Sequence, residues 1–228
     1  MHPHSRHPRR TFLKKTAGTW LAATALSSTS LATAQNALIR TQGQQQGYKT
    51  LPVPLLTRDK TSVEVLEFFW FGCPHCYAFE PSINRWADNR PEYVSFVREA
   101  PPLNPAWEPH SRAFYAAEAL GITDHFFDKM FNAIHQQKQP MRSPKAIAKL
   151  VASLDVGVTE DKFIAAMTSF TVEGSLKRSV QLATQAGISG VPSILINGKY
   201  VTGNTLAGGH QGIINVINTL TEQEHKTI

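Results

Sequence analysis

Cys73 and Cys76 are the only cysteines in the 228-residue chain, inside the run Phe68-Phe69-Trp70-Phe71-Gly72-Cys73-Pro74-His75-Cys76-Tyr77. Two thiols at this spacing can form a redox-active disulfide, supply half of a zinc site or mark a haem attachment site. Haem attachment requires His directly after the second Cys, and Tyr77 stands there. A structural zinc site needs four ligands. Cys73, Cys76 and His75 leave at least one missing, and the remaining histidines past the N-terminal segment are scattered. Dithiol–disulfide chemistry is the reading favoured, with no metal and no cofactor expected.

Such chemistry needs an accessible thiolate of low pKa and a second thiol within reach. A helix N-terminus favours S⁻, because its unpaired N–H groups and the positive end of its dipole face the sulfur. Gly72 closes a strand pattern, and Pro74 is placed where proline is best tolerated, in the first helical turn. Cys73 is therefore predicted at that terminus as the nucleophile. His75 could add positive charge beside it, against the plainer reading of a solvated surface imidazole. Cys76 falls on the stripe Cys76, Phe79, Ile83 and Trp86, so it is predicted to be the buried, resolving thiol.

Two carboxylates lie close in sequence. Glu67 falls on the face of Val65, Phe69 and Phe71 in a strand pattern, where a charge is costly unless paired or protonated. It reads either as a strand carboxylate paired with Lys or Arg or as a buried acid of raised pKa that moves a proton at Cys76. Glu80, one turn after Cys76, reads either as a second electrostatic contributor or as part of a solvated helix face.

The elements that must position these residues follow from periodicity. Val63–Phe71 is predicted as one strand, apolar on both faces with Leu66, Phe68 and Trp70 sharing the second, as in a central strand covered on both sides. The helix after it should reach about Asn89, and Tyr93–Arg98 forms a second strand, in a right-handed parallel crossover. Tyr48–Leu56, with Pro52 and Pro54, fits a short edge strand and a turn. After the prolines at 101–109 come helical stripes: Phe127, Met130, Phe131 and Ile134; then Ile147, Leu150, Val151 and Leu154 behind a Ser143-Pro144 cap; then Phe163, Ile164, Met167 and Phe170 behind Thr159. Leu176, Val180, Ala183 and Ala186 mark a further helix stopped by Gly187. Val191-Pro192 precedes two short apolar strands around Asn197-Gly198, a hairpin signal, and Ile213, Ile217 and Leu220 mark the last helix.

The N-terminal 34 residues read as an export signal: Arg9-Arg10-Thr11-Phe12-Leu13-Lys14-Lys15, a mildly apolar stretch, and Ala32-Thr33-Ala34 before the cleavage point. The paired arginines resemble a twin-arginine address, with general secretory export as the alternative. Residues 35–47 are Gln-rich and read as a flexible leader. The full chain carries +6, but removing the five basic residues of 1–34 leaves 18 Lys and Arg against 17 Asp and Glu, about +1. The basic balance thus belongs to the signal and offers no argument for nucleic acid or an anionic membrane as a partner.

Leu66-Glu67-Phe68-Phe69, Cys73-Pro74-His75-Cys76-Tyr77, Gly190-Val191-Pro192, Asn197-Gly198-Lys199-Tyr200 and the intervening helices together resemble the DsbA family of exported thiol:disulfide oxidases within the thioredoxin superfamily. The resemblance covers about 48–225. It implies an α/β, thioredoxin-like fold, 48–102 and 174–225, interrupted by an all-helical insert, 103–173. It implies a periplasmic monomer that passes the Cys73–Cys76 disulfide through a mixed disulfide to unfolded or reduced exported proteins, and a membrane quinone-linked partner similar to DsbB that reoxidises it. It also implies that Glu67 serves Cys76, that Pro74-His75 set the potential, and that a cis Val191–Pro192 bond presents the Val191 backbone to substrate. The alternatives are a reductase or isomerase of the same fold, and a peptide-binding chaperone or metal carrier. Gly72 departs from the pattern, since the best-known members carry an aromatic residue there.

Overall fold

A computed structural model describes residues 47–228. The expected signal, 1–34, and residues 35–46 of the leader lie outside the described residues.

The centre is a five-stranded sheet in the order β1-β5-β4-β2-β3, with β1 at Tyr48–Thr50, β2 at Val63–Phe68, β3 at Val94–Glu99, β4 at Ser193–Ile196 and β5 at Tyr200–Gly203. Only the β2–β3 pair is parallel; β4 runs antiparallel to both β2 and β5, and β1 antiparallel to β5. All six residues of β2 are buried, as a strand covered on both faces requires. Val63 and Val65 pack with α1, Pro74–Asp88, and α8, His210–His225, through Phe79, Ile83, Ile213 and Ile217. Leu66 and Phe68 pack on the other face with Ala183 and Ala186, at and just past the end of α6, Phe170–Gln185. Burying each such side chain contributes about 1.5–3 kcal/mol.

The β4–β5 hairpin turns at Asn197 (φ 47°) and Gly198 (φ 64°), with Lys199 N–H donating to the Ile196 carbonyl at 2.9 Å. Both central residues sit in the left-handed region that a type I′ turn demands and that Asn-Gly tolerates. A short α7, Asn204–Ala207, leads from β5 into α8.

Between β3 and β4 the chain forms α2, Glu108–Ala119; α3, Thr123–His135; α4, Pro144–Ala152; α5, Glu160–Met167; and then α6. Ser143 and Thr159 cap α4 and α5, accepting from Ala146 N and Lys162 N at 3.2 Å each. Ile147, Val151, Phe163 and Met167 are buried on the predicted stripes.

Three expectations are corrected. The strand stops at Phe68 instead of Phe71, because Phe69 and Phe71 leave the sheet and enter the helical insert. There they meet Phe114, Phe127 and Phe131 at centroid distances of 5.0–6.4 Å. Trp70 likewise departs from the Leu66–Phe68 face and stacks on Trp107. Phe170 does not complete the α5 stripe. Ser169 caps a new helix there, accepting from Val172 N, and Phe170, its first residue, is 93% exposed. The expected boundary at 173/174 therefore falls inside α6, whose first turns, through Val172 and Leu176, pack in the insert core, while Ala183 packs under the sheet.

Candidate active site

The site forms where β2 gives way to α1. Cys73 N–H donates to the Trp70 carbonyl at 2.9 Å, closing the turn, and Cys73 is the N-cap of α1 with extended backbone (φ −84°, ψ 116°) and Pro74 at the first helical position. Its Sγ accepts the N–H of Cys76 at 3.3 Å. A sulfur thus satisfies one of the free N–H groups that Ser, Thr, Asp or Asn oxygens usually satisfy. As a thiol, Sγ also donates to the Val191 carbonyl at 3.5 Å, across 118 residues of sequence. The Val191–Pro192 peptide bond is cis, and Pro192 is buried. Pro74 and His75 are exposed.

The two thiols are pushed in opposite directions. Cys73, 7% exposed, is lowered from an ordinary 9.0 to about 6. The chief cause is its hydrogen bond with the Cys76 side chain, which outweighs burial; the N–H groups of Cys76 and His75 and the charge of His75 add to it. Cys76, fully buried, is raised, first by burial and then by Cys73, with the Glu67 carboxylate adding repulsion. One sulfur is therefore easily ionised and the other is not.

Glu67 is wholly buried. Its Oε2 accepts from Arg98 Nε at 2.9 Å, while burial, stronger than the Arg98 charge, raises its pKa. Arg98 Nη2 also reaches Glu80 Oε2 at 3.2 Å and Asn84 Oδ1 at 2.6 Å. Glu80 is buried, which removes its reading as a solvated helix position; burial and then Glu67 raise it to about 8. Oε1 of Glu67 and Oε1 of Glu80 have no hydrogen-bond partner. A single guanidinium is thus shared by two buried carboxyl groups.

A groove of about 800 Å³ runs beside His75 and Gly190-Val191-Pro192, with Lys49 and Leu206 among its other walls. Among the described residues no group of three or more His, Cys, Asp and Glu side chains is placed to hold a metal ion.

The structure adds residues that the sequence reading did not single out. Arg98 was legible only as a strand position; its signal was the parallel register, which sets it directly opposite Glu67. His135 Nε2 donates to the Phe71 carbonyl at 2.7 Å while its ring stacks on Tyr77, centroids 4.7 Å apart and planes 9° off parallel. Nothing local in the sequence marks that contact, because it joins α3 to the turn before Cys73. Gly72 also finds its reason: a Cβ there would stand 2.3 Å from the ring of Trp70, which lies across it. The aromatic surface at this rim comes from residue 70 instead of residue 72.

A thioredoxin-type sheet with a helical insert and two thiols of opposed acidity at a helix N-terminus defines a dithiol–disulfide exchange protein. Comparison with known proteins narrows the class. The family model of the DSBA-like thioredoxin domain matches residues 64–207. The thiol:disulfide interchange protein DsbA of Burkholderia cepacia is 40% identical over 161 residues, 71% of this chain and 75% of that protein. The protein of the same name from Azotobacter vinelandii is 38% identical over 177 residues, 78% of this chain and 82% of that protein. The crystal structure of Pseudomonas aeruginosa DsbA superposes with a TM-score of 0.74 at 32% identity, covering 79% of this chain and 93% of that one. The chain belongs to the DsbA-like family of the thioredoxin fold and is a thiol:disulfide oxidoreductase.

Proposed function

We propose that the chain works in the oxidising direction, donating a Cys73–Cys76 disulfide to reduced polypeptides exported to the periplasm. The observation that carries this reading is the opposed acidity of the two thiols, since a dithiol form stabilised through its Cys73 thiolate makes the disulfide a strong oxidant. A substrate thiolate attacks Cys73 Sγ, the Cys73–Cys76 bond breaks, and Cys76 leaves with the electron pair. Glu67, whose carboxyl burial shifts toward its neutral form, passes a proton to Cys76, for which its unpartnered Oε1 is suited. A second substrate thiolate then attacks the substrate sulfur of the mixed disulfide and expels Cys73 as a thiolate. Two electrons have passed to the protein, and the substrate holds the disulfide.

The substrate strand pairs in extended form with the Val191 backbone, in the manner of strand addition. The Val191 carbonyl within reach of Sγ supports that placement. Cys73 is the nucleophile, Cys76 the resolving thiol, and Pro74-His75 set the potential. A membrane quinone-linked partner of DsbB type restores the disulfide, and the chain acts as a monomer after removal of residues 1–34. No helix among the described residues is long and apolar enough to cross a membrane.

The test is the Cys73–Cys76 potential in glutathione buffers. A value near about −120 mV, as in DsbA, supports the oxidase, and one near about −270 mV, as in thioredoxin, overturns it in favour of a reductase. Cys73→Ser should remove oxidation of a reduced model protein entirely. Biological function retained in that variant would favour a chaperone-like binding role instead.

A further inference from the structure

Trp70-Phe71-Gly72-Cys73 is a four-residue turn, closed by the Cys73 N–H on the Trp70 carbonyl at 2.9 Å. That bond leaves out the central peptide, between Phe71 and Gly72. Turns of type I and type II differ by a flip of this peptide, and type II needs φ of about +80° at the third residue, a value glycine meets most easily. Gly72 is that third residue, so the chain itself permits either orientation. Its φ lies outside the left-handed region, so the unflipped peptide is the one present.

What holds it comes from another element. His135, the last residue of α3, donates from Nε2 to the Phe71 carbonyl at 2.7 Å. The carbonyl and N–H of a trans peptide point opposite ways. A flip would therefore turn the Phe71 carbonyl away from His135 and the Gly72 N–H toward it, setting one donor against another. The imidazole is itself fixed by its stack on Tyr77. Its neighbours hold the same tyrosine, whose hydroxyl donates to Asn132 Oδ1 at 3.2 Å and accepts from Gln136 Nε2 at 2.6 Å. Tyr77 N–H in turn donates to the Cys73 carbonyl at 3.1 Å. The end of α3 thus grips the chain on both sides of the thiol pair.

We propose that His135 is a positioning residue for dithiol–disulfide exchange, which holds the Phe71–Gly72 peptide in one orientation and so keeps Cys73 at the cap of α1. The hold matters most in the dithiol form. With the disulfide closed, a covalent bond ties Cys73 to Cys76 whatever the turn does. With it open, the turn and the Cys76 N–H on Cys73 Sγ keep the sulfur in place. Loss of His135 therefore weakens the dithiol form more than the disulfide form, and the disulfide becomes a poorer oxidant. The inference rests on Cys73 as the capping, attacking thiol and not on the direction in which the protein works.

His135→Phe keeps a ring for Tyr77 and has no N–H, while His135→Gln offers an amide N–H in its place. The reaction measured is disulfide protein plus two glutathiones giving dithiol protein plus glutathione disulfide. His135→Phe should lower its equilibrium constant by up to about fivefold, the worth of a typical net hydrogen bond, and raise the Cys73 titration midpoint. The carbonyl ¹³C resonance of Phe71 reports the bond itself, and the constant should follow it across wild type and both variants. Folding is checked by circular dichroism, and His135→Ala replaces His135→Phe if the latter does not fold. A Phe71 resonance or an equilibrium constant that the donor-free variant leaves unchanged overturns the proposal. So does a constant that parts from the resonance in His135→Gln. A wild-type potential in the reductase range would sink the oxidase reading and leave this comparison among variants standing.

Discussion

Cys73 and Cys76 are the same residue type one helical turn apart, so the contrast between them comes from surroundings alone. Cys73 caps the helix and gathers N–H groups, while Cys76 is walled into the apolar stripe beside Glu67. Titration of the reduced protein at 240 nm, where thiolate absorbs, should show Cys73 ionising with a midpoint of about 6. His75→Ala, which removes one charge that favours the thiolate, should raise that midpoint by up to about one unit. A wild-type midpoint near the ordinary thiol value, or a downward shift in the variant, would rule out this account. Cys73 was readable from Gly72-Cys73-Pro74 because a strand end, a thiol and an N1 proline are neighbours in sequence. Glu67 was readable as a carboxylate in an expensive place, either paired with Lys or Arg or of raised pKa, but the partner itself was not readable.

At the scale of elements, the β2–β3 register converts that expensive place into a usable one. Parallel pairing sets Arg98 opposite Glu67, and α1 brings Glu80 and Asn84 over the same guanidinium. Arg98→Met should destabilise the fold by roughly 3–5 kcal/mol at pH 9, where Glu80 is ionised in the folded protein, the cost of leaving a buried carboxylate without its counter-charge. Glu67 and Glu80 have folded pKa values above their unfolded ones, so their penalty vanishes below the unfolded values and grows as pH rises through the folded ones. The deficit in urea denaturation should therefore shrink between pH 9 and pH 6, as Glu80 takes up its proton near pH 8; a deficit that does not change with pH would point to lost packing instead. The same scale explains the misplaced strand end. Phe69 and Phe71 carry the alternation of a strand, but the insert offers them an aromatic core worth more than two further ladder positions. Phe170 shows the reverse case, an apolar residue at stripe spacing whose place was decided by the Ser169 cap beside it.

For the whole molecule, the redox state becomes a stability difference. The Cys73 thiolate is favoured in the folded dithiol form only, and its pKa is depressed. Its contribution is therefore complete above the ordinary thiol value of 9.0, is lost as pH falls to about 6, and is missing from the disulfide form altogether. Urea denaturation of both forms should show the stability of the dithiol form gaining on that of the disulfide form between pH 6 and pH 9. A gap that stays flat or closes over this interval would refute the linkage. By itself the sequence determined what depends on a few neighbouring residues: the N-cap cysteine and its proline, the buried stripe of α1, the Ser143 and Thr159 caps and the Asn197-Gly198 turn. These are local because backbone sterics and i, i+3 and i, i+4 contacts decide them. Only the tertiary structure decided which charge answers Glu67, that the Val191 carbonyl faces Cys73, that Phe69 and Phe71 belong to the insert, and that Trp70 lies over Gly72. Each of these joins elements far apart in the chain, and sheet register and packing, which no short stretch encodes, choose the partner.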